Sequence, residues 1–161
     1  MTRTAQRVLR YAGYGLLALP ASVSGVLRAW AERRLLAREP LARRAGAAAH
    51  ALHVLLSVTL GLLAWFLAFL IGLAAVRGIF YPLIADGNLE GSWGGPSPGG
   101  AWAVHAALGV LVAPPIGVGI IAALGMLQSR LARQGAWWPV PVAGVVTVAG
   151  ALLFLSWLHQ V

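Results

Sequence analysis

The sequence predicts an all-α integral membrane protein with three transmembrane helices. Of its 161 residues, 60% are hydrophobic and only 10% are charged, whereas soluble domains carry about a quarter charged residues. A soluble domain of this length cannot bury that much apolar surface. The absence of cysteine excludes disulfides, thiolate metal ligands and thiol catalysis. What remains is a chain whose apolar segments face lipid.

Three uncharged stretches are long enough to cross a bilayer, which requires roughly 20 apolar residues. They cover about residues 52–76, 102–127 and 137–158, and we assign residues 50–161 to one transmembrane helical domain. The second stretch contains Pro114 and Pro115. Because proline removes helical hydrogen bonds, we interpret this pair as a hinge.

Arginine predicts the orientation. The net charge is +8, and the basic residues cluster before the first span and between the second and third. By the positive-inside rule, these segments are cytoplasmic and the loop over residues 86–100 is outside a bacterial plasma membrane. The charge therefore indicates a membrane surface rather than nucleic acid. The predicted cytoplasmic basic surface consists of Arg28, Arg33, Arg34, Arg38, Arg43 and Arg44.

The amino-terminal segment, residues 1–49, is predicted to contain two helical parts. Residues 8–27 are apolar but have basic residues on both sides. This pattern favours a re-entrant or interfacial segment, with a fourth transmembrane helix as the alternative. Residues 30–44 are predicted to form an Arg-rich cytoplasmic amphipathic helix. Its arginines suit anionic lipid headgroups, which attract basic residues by about 1 kcal/mol each near the surface.

Small residues recur at helical spacing in the first two spans, which is typical of close helix contacts in lipid. We expect two antiparallel helices to pack through them within one chain, with a homo-oligomer interface as the alternative. The predicted packing residues are Ser57, Gly61, Ala64, Ala68 and Gly72 in the first span, and Gly109, Ala113 and Gly117 in the second.

The outer loop and its borders carry the candidate sensing residues, namely Asp86, Glu90, Trp93, Trp102 and His105. Carboxylates and an imidazole on one side of the membrane could respond to protons or to a metal ion. No metal site is assigned, because no set of three or four ligands with suitable spacing is present. No cofactor motif and no catalytic motif occurs, so we expect no enzyme. The spans also lack Asp and Glu, which disfavours a proton-coupled carrier.

Residues 93–106 (WGGPSPGGAWAVHA) resemble a segment of an actinobacterial sensor membrane domain that occurs amino-terminal to histidine kinases. Residues 19–20 (LP), 31–34 (AERR), 53–57 (HVLLS), 77–82 (RGIFYP) and 130–133 (RLAR) are similar to the same family in the same order. The resemblance covers roughly residues 12–134 and implies a sensing role in the membrane. No kinase domain follows within the sequence, so a separate partner is expected to receive the signal.

The expected function is therefore a small multi-pass membrane protein, sensor-like or accessory. It would relay an outer-face or bilayer signal to a membrane or cytoplasmic protein partner. The main alternative is a structural subunit or adaptor of a larger membrane complex. An oligomeric channel or carrier is disfavoured because the spans contain few polar residues.

Overall fold

The structure is a computed structural model that describes residues 2–40, 46–84, 90–133 and 138–160. Every regular element in these ranges is helical. The helices are α1 (Arg3–Val23), α2 (Gly25–Leu36), α3 (Ala47–Ile79), α4 (Tyr81–Ile84), α5 (Pro98–Ala107), α6 (Ala113–Leu131) and α7 (Pro139–Leu158). A π-helical turn, Leu108–Val112, joins α5 to α6 without a break.

The three predicted spans are confirmed as three helices that are long and apolar enough to cross a membrane. They are α3 with 33 residues, the continuous helix Pro98–Leu131 with 34, and α7 with 20. At 1.5 Å per residue, α3 is about 50 Å long and exceeds the hydrocarbon core of a bilayer, which is about 30 Å thick. The second helix starts at Pro98, inside the loop predicted from sequence, because Ser97 caps it.

Contacts between residues divide the chain into two compact units. The first contains residues 1–65 and 121–161, and the second contains residues 66–120. In the first unit, Leu60 and Ala64 of α3 are among the fully buried apolar residues. The second unit holds the end of α3, all of α4 and α5, the π-helical turn and the start of α6.

In the first unit, α1 packs closely against both long helices. A Cβ atom at Gly15 would lie 2.9 Å from the Ile121 carbonyl oxygen, and one at Gly61 would lie 2.7 Å from the Leu19 nitrogen. The Trp65 Nε1–H also donates to the Leu16 carbonyl oxygen, at 2.9 Å. Backbone therefore meets backbone at these contacts, as small residues allow in lipid.

Helices α1 and α2 form an antiparallel hairpin. Ser24 ends α1 and caps α2, since its Oγ accepts from the Leu27 amide at 3.2 Å. Gly13 then lies against Leu35, with 3.7 Å from a Gly13 Cβ position to Leu35 Cδ1. The Arg38 guanidinium donates to the Tyr11 hydroxyl at 3.3 Å.

Helix α2 differs from the helix predicted over residues 30–44. It begins at Gly25 and ends at Leu36, because Ala37 adopts the left-handed conformation with φ 49° and ψ 48°. The Arg38 amide then bonds back to the Glu32 carbonyl oxygen at 3.1 Å, a closure typical of helix carboxyl ends. Residues 41–45, with Arg43 and Arg44, lie outside the described residues.

Helix α7 has few contacts in the first unit. The Thr59 and Thr147 hydroxyls lie 3.1 Å apart, and a Cβ atom at Gly150 would lie 2.9 Å from the Leu63 side chain. Large apolar side chains such as Val145 and Leu152 are exposed. Exposure of such residues suits a helix that faces lipid or another protein.

The predicted packing residues occupy different environments. Ser57, Gly61 and Ala64 are buried, Ala68 is half-buried, and Gly72 is exposed. In the second unit, Cβ atoms at Gly109 and Gly117 would collide with Ala74 and Ile71 of α3, respectively, while Ala113 is half-buried.

Candidate functional site

The backbone before α5 is fixed by two glycines and a capping serine. Gly94 and Gly95 have φ angles of 102° and 87°, a backbone conformation that residues other than glycine rarely adopt. The Ser97 Oγ accepts from the Gly100 amide at 3.2 Å, and Pro98 follows in the first turn. Helix α5 therefore begins at a defined residue, which sets the positions of the side chains along it.

His105 lies flat against Tyr81. Their ring centroids are 3.8 Å apart and their planes differ by 12°. The Tyr81 hydroxyl is 2.9 Å from Ser92 Oγ. Nδ1 of His105 is 2.8 Å from the Ala101 carbonyl oxygen. Because a carbonyl can only accept, Nδ1 carries the proton and Nε2 carries the lone pair in the neutral ring.

Trp102 connects the end of α3 to α5. Its Nε1–H donates to the Ile79 carbonyl oxygen at 3.0 Å. Next to it, a Cβ atom at Gly78 would lie 2.5 Å from the His105 carbonyl oxygen, so the two helices approach as closely as their backbones permit. We call Tyr81, Ser92, Trp102 and His105 the Tyr81–His105 cluster.

The π-helical turn follows this cluster on the same helix. The Ala113 amide donates to the Leu108 carbonyl oxygen, five residues back rather than four. Pro114 and Pro115 come next and have no amide hydrogen to continue the α-helical pattern. In a regular α-helix, a proline ring clashes with the carbonyl four residues before it. Such π turns are also frequent at functional sites. The predicted hinge therefore lies at an irregular turn.

The structure describes four of the five predicted sensing residues. Trp102 and His105 belong to the Tyr81–His105 cluster, whereas Glu90 and Trp93 are exposed, Trp93 by 71%. Asp86 lies outside the described residues. Among the described residues, no group of three or more His, Asp or Glu side chains could hold a metal ion.

Tyr81 and Ser92 are functional candidates that sequence reasoning missed. Tyr81 belongs to the 77–82 segment that supported the family resemblance, but nothing local predicts that its ring reaches His105.

A second group of polar side chains is buried in the first unit. Gln128 is 6% exposed, and its Oε1 has no hydrogen-bond partner. Ser57 Oγ lies 3.3 Å from His53 Nε2. Together with Arg28, these residues line a cavity of about 10 Å³, which is enough for one water molecule with several polar neighbours. The sequence signal for this cavity is weak, because Gln128 is a single polar residue near the end of an apolar span.

The amino-terminal arginines form a third feature, which we call the arginine groove. It is a cavity of about 320 Å³ between α1 and the residues that end and follow α2. Its lining comprises Arg3, Gln6, Arg7, Arg10, Tyr11, Leu35, Leu36 and Arg38. Of these described residues, none is acidic. The spacing of three or four residues along α1 places its arginines on one face, and this signal was available in the sequence.

A neighbouring cavity of about 300 Å³ is different in charge, because Glu32 and Glu39 line it together with Arg38 and Arg133. The described arginines of the predicted basic surface therefore lie in two kinds of environment. Arg28 and Arg38 are half-buried at cavities. Arg33 and Arg34 are exposed, and Arg33 lies 3.8 Å from Glu39 in an exposed pair of small energetic value.

Comparisons with protein-family models, with curated proteins and with solved structures give no match for this chain. The resemblance to a sensor membrane domain therefore stays a prediction from sequence.

Proposed function

We propose that the chain is a small multi-pass membrane protein that relays a signal to a protein partner. The signal would enter at the segment between α4 and α5. The observation that carries this proposal is that the His105 stack and the π-helical turn lie on one continuous helix. His105 lies on α5 and contacts α4 through the Tyr81 ring and α3 through Gly78. A change in these contacts therefore acts directly on α5. The helix that receives this change contains a turn whose register can shift.

The π-helical turn gives the relay a physical basis. A π turn holds one residue more than an α turn, so its loss would rotate the following helix by about 100° about its axis. Such a rotation would change which face of α6 meets its neighbours. Packed helices favour discrete arrangements over continuous deformation, so a small change at one end can select between two states.

The orientation that fits this role places the arginine-rich segments in the cytoplasm, by the positive-inside rule. The α1–α2 hairpin then enters from the cytoplasmic side as a re-entrant element. Its apolar part, residues 11–23 of α1, is about 20 Å long and too short to cross a core of about 30 Å. The contacts of Gly15 and Leu19 with long apolar helices support this depth.

The relay can be tested with site-directed spin labels, because the native chain has no cysteine. Ile116→Cys and Ile120→Cys, both at exposed positions, are labelled in otherwise wild-type protein in liposomes. Each is then combined with Tyr81→Ala, which removes the stack, or with Leu83→Ala, a control at an exposed residue of the same helix α4. We expect Tyr81→Ala to change oxygen accessibility at both labels at least twofold and Leu83→Ala to leave it unchanged. Equal accessibility in the two backgrounds would refute the relay.

A structural subunit is the second candidate, and the exposure of α7 favours it. Only 6% of the most apolar 18 residues of α7 are buried, and many of its large apolar side chains are exposed. Purification from native membranes distinguishes the two functions. Stoichiometric retention of a transporter or biosynthetic enzyme supports the subunit, whereas a kinase or regulator whose retention falls in the Tyr81→Ala variant supports the relay.

A further inference from the structure

We infer that the arginine groove binds the phosphate of an anionic phospholipid headgroup. This inference does not depend on the proposed relay, because no residue of the groove belongs to the Tyr81–His105 cluster. Four arginines converge there, three from one face of α1 and Arg38 from the chain after α2. The groove thus exists only because the hairpin brings residue 38 back beside residue 11.

Arg38 is held in place before any ligand arrives. The residue is half-buried, and its guanidinium donates to the hydroxyl of Tyr11, a residue that is itself buried. A guanidinium that is already oriented loses less freedom when it binds a planar or tetrahedral anion. Arg3, Arg7 and Arg10 are exposed along the opposite side and can turn toward the same anion.

The charge of the groove selects a phosphate over neutral ligands. Like charges in a confined space repel one another, and no acidic side chain among the described residues lines this groove to offset them. A phosphate oxygen accepts from two guanidinium N–H groups at once, and such charge-assisted bonds are about twice as strong as neutral ones. The neighbouring cavity, which contains Glu32 and Glu39, lacks this selectivity.

The surroundings of the groove favour a lipid as the source of the phosphate. Leu35 and Leu36 form an apolar wall beside the arginines, where the glycerol and upper acyl carbons of a lipid would lie. Farther along α1, Leu16 and Leu19 contact α3, a helix that is apolar enough to span the membrane. The arginines therefore sit at the polar end of an element anchored among apolar helices, which is the depth of headgroups.

The test compares two double variants of the full chain with the same loss of charge. Arg7→Gln with Arg10→Gln removes two groove arginines, and Arg33→Gln with Arg34→Gln removes two exposed arginines of α2. Purified protein in neutral detergent is titrated with phosphatidylglycerol, with phosphatidylcholine and with inorganic phosphate, and binding is followed by native mass spectrometry. We expect the wild-type protein to bind phosphatidylglycerol in preference to phosphatidylcholine. Compared with wild type, phosphatidylglycerol should bind about thirtyfold more weakly to the groove variant and less than threefold more weakly to the control variant.

Two results would overturn the inference. Equal weakening in both double variants would mean that the arginines act only as a diffuse basic surface. Binding of inorganic phosphate as tight as that of phosphatidylglycerol would mean that the groove takes a soluble anion. Tyr11→Phe provides a variant that keeps the buried ring and frees Arg38. We expect it to weaken phosphatidylglycerol binding about threefold with unchanged helical circular dichroism, and unchanged binding would contradict the role of the Tyr11 hydroxyl.

Discussion

The packing of α1 on α3 predicts opposite effects for two alanine substitutions in the same helix. A Cβ atom in Gly61→Ala would lie 2.7 Å from the Leu19 nitrogen and 2.9 Å from its Cα, whereas Gly72→Ala meets nothing within 4 Å. Ordinary contacts are about 3.5–4.0 Å, so α1 must move by about 1 Å in the first variant. Both variants gain about 0.5–1 kcal/mol from the better helix propensity of alanine.

Overpacking of a closely fitted contact costs about 1–3 kcal/mol. We therefore expect Gly61→Ala to lower the free energy of unfolding by about 1 kcal/mol and Gly72→Ala to raise it by about 0.5–1 kcal/mol. The measurement is reversible unfolding in mixed micelles, with loss of helical circular dichroism followed as the fraction of dodecyl sulfate rises. If Gly61→Ala is as stable as Gly72→Ala, α1 does not pack on α3 at this residue.

Two further predictions concern α5. Trp102→Phe removes the indole donor to the Ile79 carbonyl and should cost about 1 kcal/mol in the same unfolding assay. The control Trp93→Phe changes an exposed ring and should stay within about 0.5 kcal/mol of wild type; equal losses would argue against the Trp102 bond. Ser97→Ala removes the cap of the Gly100 amide and should cost about 1 kcal/mol, with faster hydrogen exchange confined to the first turn of α5. Unchanged exchange there would contradict the capping role.

The spans could be predicted from sequence because the information that defines them is local. An uncharged apolar run of sufficient length has few alternatives to a membrane helix. The ends were less predictable, since they depend on particular backbone contacts. Helix α3 begins at Ala47, before the apolar run itself, because alanine favours helix without adding much apolar surface. Helix α5 begins at Pro98 because Ser97 caps it, although Gly99 and Gly100 disfavour helix.

The candidate sites were only partly predictable, because each combines residues from separate elements. Trp102 and His105 stand in a distinctive local segment, whereas Tyr81 and Ser92 join them only through folding. In the arginine groove, the spacing along α1 was visible, but the return of Arg38 depends on the turn at Ser24. Periodicity indicates which face of a helix carries a particular kind of residue, but it does not indicate which other helix packs against that face.

The small residues that recur at helical spacing in the first two spans predicted close contacts but not all of the helices involved. Their spacing indicated close contact between the first two spans, and Gly109 and Gly117 do lie against α3, but Gly61 faces α1. The matching face on α1 was present in the sequence, because Ala12, Gly15, Ala18 and Ala21 recur every third residue and all are buried. A helix that only lies on a bilayer surface needs large apolar side chains to enter the lipid. A run of small ones instead lets two backbones approach. Small residues on one face of an Arg-flanked helix therefore favour close packing against other helices over attachment to the bilayer surface. The choice between a re-entrant segment and a fourth transmembrane helix for residues 8–27 depends instead on the length of the apolar part.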